Sequence, residues 1–107
     1  MSPITSINPT SGLPIKTYDS LESSAILAKI NLAQTTFLSW QKTSLATRSK
    51  ILLQVAQTLI ARKPELSTLM SNEMGKRLPE AQAEIDKCAL VCQYYAKETE
   101  TLLSPEH

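Results

Sequence analysis

Asn72-Glu73-Met74-Gly75-Lys76-Arg77-Leu78-Pro79-Glu80-Ala81 closes one helix and opens another within a single short stretch. Gly75 follows an apolar helical pattern and can adopt the left-handed conformation that ends a helix without a Cβ penalty. Pro79 falls where the first turn of a new helix tolerates a residue lacking an N–H. Upstream, Leu66, Leu69 and Met70 mark a helix over 64–74, with Pro64 opening it. Downstream, Ala81, Ile85, Cys88, Cys92, Tyr95, Thr99 and Leu102 recur at steps of four and three, predicting a long amphipathic helix over about 79–103.

Two further helices precede this pair. Ser44 is a suitable N-cap for a helix over about 45–62, whose stripe is Leu52, Val55, Ala56, Leu59 and Ile60. Asp19 and Glu22 have capping-box spacing at the entry to a helix over about 20–41. Ile26, Ile30, Ala33, Phe37 and Trp40 form its apolar stripe, read as core. Before it, residues 4–18 read as a hairpin: Ile4 to Ile7 and Leu13 to Tyr18 favour strands, with Leu13, Ile15 and Thr17 on one face. Asn8-Pro9-Thr10-Ser11-Gly12 supplies the turn, and Pro14, lacking a ladder donor, marks an edge or an interruption. Such a hairpin needs a surface to pack on. The fold class is mainly α with a short N-terminal β-hairpin and three to four amphipathic helices.

A chain of 107 residues is at most one domain, and 42% apolar with 20% charged residues is ordinary for a folded one. The net charge of +1 is spread as interspersed acids and bases, which argues against nucleic acid or an anionic membrane as partner. The apolar runs are too short to span a bilayer, and Met1-Ser2-Pro3-Ile4-Thr5 lacks the regions of a signal peptide. A cytoplasmic chain is expected. Gly12 and Gly75 are the only glycines and lie far apart, whereas a phosphate-cradling loop needs several together.

Chemistry-bearing residues each have a structural reading. Cys88 and Cys92 fall on the apolar stripe of the last helix, where free cysteine behaves as a small buried hydrophobe. Zinc would need more ligands than these two, and the only histidine is His107, so no metal site is expected. A disulfide across one helical turn would be strained. Glu73, Glu80, Glu84 and Asp86 cluster, but Glu80 and Glu84 suit a helix N-terminus and the rest a solvated face. Glu73, near a helix C-terminus, is expected to pair with Lys76 or Arg77. Without an internal histidine, no Ser-His-Asp arrangement exists. Phe37, Trp40, Tyr94 and Tyr95 at helical spacing read as core. No catalytic, cofactor-binding or metal residues are expected.

The order of these features resembles the N-terminal segment of the aldehyde dehydrogenase family. Ile7-Asn8-Pro9-Thr10-Ser11-Gly12 is similar to its opening, and Phe37-Leu38-Ser39-Trp40 with Ser44 and Arg48 to its first helix and the entry to the second. Glu73-Met74-Gly75-Lys76, Glu80-Ala81, Glu84-Ile85, Cys88-Ala89 and Tyr94-Tyr95-Ala96 continue the likeness, from about Ile7 to Leu103. Glu-Met-Gly-Lys and the Lys87-Cys88-Ala89 helix most resemble the bacterial NAD(P)-dependent succinate-semialdehyde dehydrogenases. The resemblance implies the leading part of a Rossmann-like coenzyme-binding domain. It implies NAD or NADP as cofactor of full-length relatives, which oxidise aldehydes to carboxylic acids. The family's cofactor motif, nucleophilic cysteine, glutamate base and oxyanion asparagine lie further along and have no matching position here. Neither Cys88 nor Cys92 corresponds to that nucleophile.

Three readings stay open at this level. The chain is an N-terminal dehydrogenase fragment, inactive alone; or a helical interaction module docking on a full-length or complementary chain; or a remnant. Its uncovered stripes predict self-association or pairing with a complementary aldehyde dehydrogenase chain.

Overall fold

The computed structural model describes residues 2–106; Met1 and His107, on which the leader and zinc arguments partly rest, lie outside the described residues. Strands β1 (Ile4–Ile7) and β2 (Pro14–Tyr18) are followed by helices α1 (Ser23–Trp40), α2 (Leu45–Ala61), α3 (Lys63–Met74) and α4 (Leu78–Leu102). The hairpin is antiparallel, pairing Ile4 with Tyr18, Thr5 with Thr17 and Ser6 with Lys16. The register then slips, so that Ile7 faces Pro14. The interruption falls at the residue that has no N–H to give. Asn8 organises the turn: its Oδ1 accepts from the Thr10 and Ser11 N–H groups at 2.9 and 3.3 Å, and Gly12 closes it at φ +72°.

Helix α1 starts later than the Asp19-x-x-Glu22 spacing predicts. Glu22 itself is extended and occupies the N-cap without a side-chain capping bond, so the capping box does not form. A residue cannot serve as both the N-cap and the third helical position. Ser44, by contrast, caps α2 as expected, accepting from the Thr47 N–H at 3.2 Å. Arg62 joins α2 to α3 without a loop, and Pro64 sits in the first turn of α3.

Helix α4 is the spine of the molecule, packing along α2 and, to a lesser extent, α3. The contact is built from small side chains. Ala56 of α2, Ser67 of α3, and Ala81, Ile85 and Ala89 of α4 are the buried ones among the described residues. Ser67 satisfies its hydroxyl within its own helix, donating to the Lys63 carbonyl at 2.7 Å. A bidentate contact from Lys63 Nζ to Asp86, at 2.9 and 3.1 Å, ties the start of α3 to α4.

The expected core positions need correction on two helices. On α1 no residue is buried; Ile30, Phe37 and Trp40 are 58%, 50% and 46% exposed. The stripe is present, but nothing among the described residues buries it. On α4 the buried face runs through Ala89 instead of Cys88, and Tyr95 and Leu102 are exposed. On α2, Val55 and Ile60 are exposed too, leaving Ala56 as the buried position. A radius of gyration of 18.6 Å expresses the same splaying. About 13 Å is usual for a closed domain near this length.

The hairpin reaches the bundle at the α3–α4 junction. Gly75 closes α3 at φ +68°, and a Cβ built there would meet Pro9 Cγ at 3.2 Å. Alongside, Ser6 Oγ donates to Glu73 Oε1 at 2.8 Å. Glu73 therefore pairs with the hairpin, not with Lys76 or Arg77. Gly75→Ala should cost about 1–2 kcal/mol from the left-handed backbone alone, read by urea denaturation, and should also push Pro9 away. Gly12→Ala, with nothing within 4 Å of its added methyl, should carry only the backbone part.

Candidate functional site

The carboxylates singled out in the sequence do not converge. Lys63 holds Asp86, Arg77 lies 3.5 Å from Glu80, Lys76 lies 3.8 Å from Glu84, and Glu73 takes the Ser6 hydroxyl. These are surface pairs on separate turns, each worth little in water. The best-formed ion pair is Arg62 with Glu65, whose two hydrogen bonds measure 3.0 and 2.7 Å. Those bonds first, and the guanidinium charge second, hold the Glu65 carboxyl below its ordinary value. A lowered carboxyl stabilises the fold above the ordinary carboxylate range and loses that contribution as acid titrates it through the lowered value. The pair stands at the surface, so it trims the helix junction and is no proton-transfer device.

Arg48 is a structural residue that sequence reasoning named without a role. Its Nη2 donates to the Trp40 and Gln41 carbonyls at 3.2 and 3.0 Å, and its guanidinium stacks 5.7 Å from the Trp40 ring centroid. It thereby serves the open carbonyls that end α1 and fixes the corner into α2. A basic residue one turn into a helix that closely follows another is the signal that could have found it.

The surface that stands out is the α1 face. A depression of about 400 Å³ runs along Lys29, Leu32, Ala33, Thr36, Phe37 and Trp40. Every wall comes from one helix, so this is an open groove and not an enclosed ligand pocket, which takes walls from several elements. Cys88 and Cys92 lie on a different surface of the molecule: Cys88 is exposed and Cys92 half-buried, which overturns their reading as core thiols. Tyr94 and Tyr95 meet edge to face at 5.2 Å and are likewise exposed.

A nicotinamide dinucleotide does not fit the residues present. Its pyrophosphate calls for adjacent backbone N–H groups approached closely through glycines. Gly75 spends its missing side chain on Pro9, and Gly12 faces open space in a hairpin turn. Among the described residues, no group of three or more His, Cys, Asp or Glu side chains is placed to hold a metal ion, and no helix is long and apolar enough to cross a membrane.

Comparison with known proteins places this arrangement of hairpin and helices in a family. The whole chain, residues 1–107, matches the aldehyde dehydrogenase family. It belongs to that family. A relative in Synechocystis, named "probable succinate-semialdehyde dehydrogenase [NADP(+)]", is 41% identical over 103 residues, covering 96% of this chain and 23% of its own length. The succinic semialdehyde dehydrogenase of Streptococcus pyogenes, solved with NADP+, superposes with a TM-score of 0.87 at 29% identity, over 94% of this chain and 22% of that one. An NAD-dependent aldehyde dehydrogenase from Sinorhizobium meliloti gives 0.88 at 28% identity, over 99% and 22%. This aldehyde dehydrogenase segment corresponds to the N-terminal part of such enzymes and spans less than a quarter of their length.

Proposed function

We propose that this chain serves as the N-terminal scaffold of an NADP-dependent succinate-semialdehyde dehydrogenase, which oxidises the aldehyde to the carboxylate. In this reading it contributes no reacting group. Its task is to complete the coenzyme-binding domain by docking α1 and the hairpin onto the remaining part of the enzyme. The observation that carries the reading is the uncovered α1 face, where Ile26, Ile30, Phe37 and Trp40 line one side of a folded helix. Apolar side chains kept in register at helical spacing, yet left in water, mark a surface made to be buried. The preference for NADP over NAD rests on the names of the similar sequences. A cytoplasmic location suits the two free thiols, which a reducing compartment preserves.

The test is a chimera. This segment replaces the corresponding one in the Synechocystis relative, and the product is assayed for NADPH formation with succinate semialdehyde. Activity within about tenfold of the parent, a loss of no more than ~1.4 kcal/mol of transition-state stabilisation, supports the reading. An inactive but well-folded chimera overturns it. The isolated chain, assayed in parallel, should form no NADPH and should show no saturable NADP binding by calorimetry. It should associate with itself, or with a complementary dehydrogenase fragment beginning near its own end.

A further inference from the structure

We propose that Cys88 and Cys92 form a two-thiol site on α4 that captures a trivalent organoarsenical, R–As(OH)2. Positions four apart on a helix are neighbours, their Cβ atoms about 5–6 Å from one another. Both thiols line one shallow depression of about 320 Å³, together with Glu84, Lys87 and Val91. Cys88 is exposed and Cys92 half-buried, and both are free. Every residue around it belongs to α4, so the depression is an open surface on which both thiols are within reach of a small reagent.

The valence of the bridging atom selects the ligand. A direct disulfide would force the two sulfurs into the short, specific geometry of that bond. Inserting a larger atom between them relaxes the demand. Tetrahedral zinc would need further protein ligands, and no third partner of that kind is grouped with them among the described residues. Trivalent arsenic carrying one organic group has two positions left to fill, which matches two thiols. Val91 adds an apolar wall beside them for the organic group.

The chemistry balances without a co-reactant. Each sulfur attacks arsenic as the thiolate, so two S–As bonds form and two As–O bonds break. The two thiol protons leave with the two hydroxyls as two molecules of water. Arsenic stays trivalent and sulfur is not oxidised. The product closes a ring over one turn of α4.

Phenylarsine oxide, which hydrates to the required form, is the probe. The full chain is titrated and read by intact mass and by counting free thiols. One arsenical per chain with both thiols consumed is expected. The adduct should survive excess 2-mercaptoethanol and be released by 2,3-dimercaptopropanol. Affinity should fall about 100-fold or more in Cys88→Ala, because the second bond forms at high effective concentration. Cys88 is exposed, so that variant should keep its fold. The double variant Cys92→Ala with Gln93→Cys keeps two thiols but turns one away from the face, and should fall to the single-thiol level. Two arsenicals per chain, or a double variant that binds as tightly as the parent, would overturn the proposal.

Discussion

Replacing Ile30 and Phe37 together with Glu should leave the isolated chain as stable as before and abolish its pairing with a complementary dehydrogenase fragment. Both side chains already stand in water, at 58% and 50% exposure, so the chain alone loses little apolar burial. Glutamate is also a better helix former than Ile or Phe, which makes a small gain in α1 helicity the expected sign. The docked state is different. Fully burying one such side chain contributes about 1.5–3 kcal/mol, and about half of each is still to be buried, so the two amount to roughly 1.5–3 kcal/mol. That converts to a loss of about 10–10²-fold in affinity, and the cost of burying two carboxylates adds to it. Circular dichroism melting of the isolated chain and sedimentation with the fragment give the two readouts. A double variant that melts lower alone would show that α1 packs within this chain. One that still pairs would show that docking uses another face.

The contrast between those two states explains which features of the fold were legible in the sequence. Local chemistry was readable where a residue acts on its own backbone. Ser44 caps α2, Gly75 ends α3 in the left-handed region, Pro64 and Pro79 sit in first turns, and Pro14 breaks the ladder. Burial was not readable in the same way. Periodicity says that a helix has an apolar side; it does not say that anything covers it, and on α1 nothing among the described residues does. The choice between Cys88 and Ala89 was a step of three or four after Ile85, and both keep the pattern. Helix α4 resolves it by lying against α2 and α3, where a methyl group permits closer approach than a thiol. Two scattered glycines and no internal histidine were the sequence grounds for expecting no reacting centre. The open thiol pair was not legible, because its exposure depends on that one-residue rotation.

Ala89→Leu should be the most damaging single change in the bundle. Ala89 is 2% exposed on the face of α4 that packs against its neighbours, and Ala56, Ser67 and Ala81, buried with it, are equally small, Ile85 being the one bulky buried side chain among the described residues. Such residues set the helix separation, because their short side chains let the backbones approach closely. Leucine adds three heavy atoms where the facing positions leave no room, and over-packing of this kind costs about 1–3 kcal/mol. The strain cannot be shed into the outer elements, since α1 and the hairpin lie off this interface. Cys88→Leu, one position away, is the control. It adds similar bulk on the exposed side and should shift stability by no more than about 0.5 kcal/mol, as surface changes usually do. Urea denaturation of the two variants therefore measures the rotation of α4 directly. If Cys88→Leu proved the costlier of the two, the apolar stripe running through the thiols would be the buried one. The α4 interface would then be turned by one residue, and the thiol pair would be closed to any ligand.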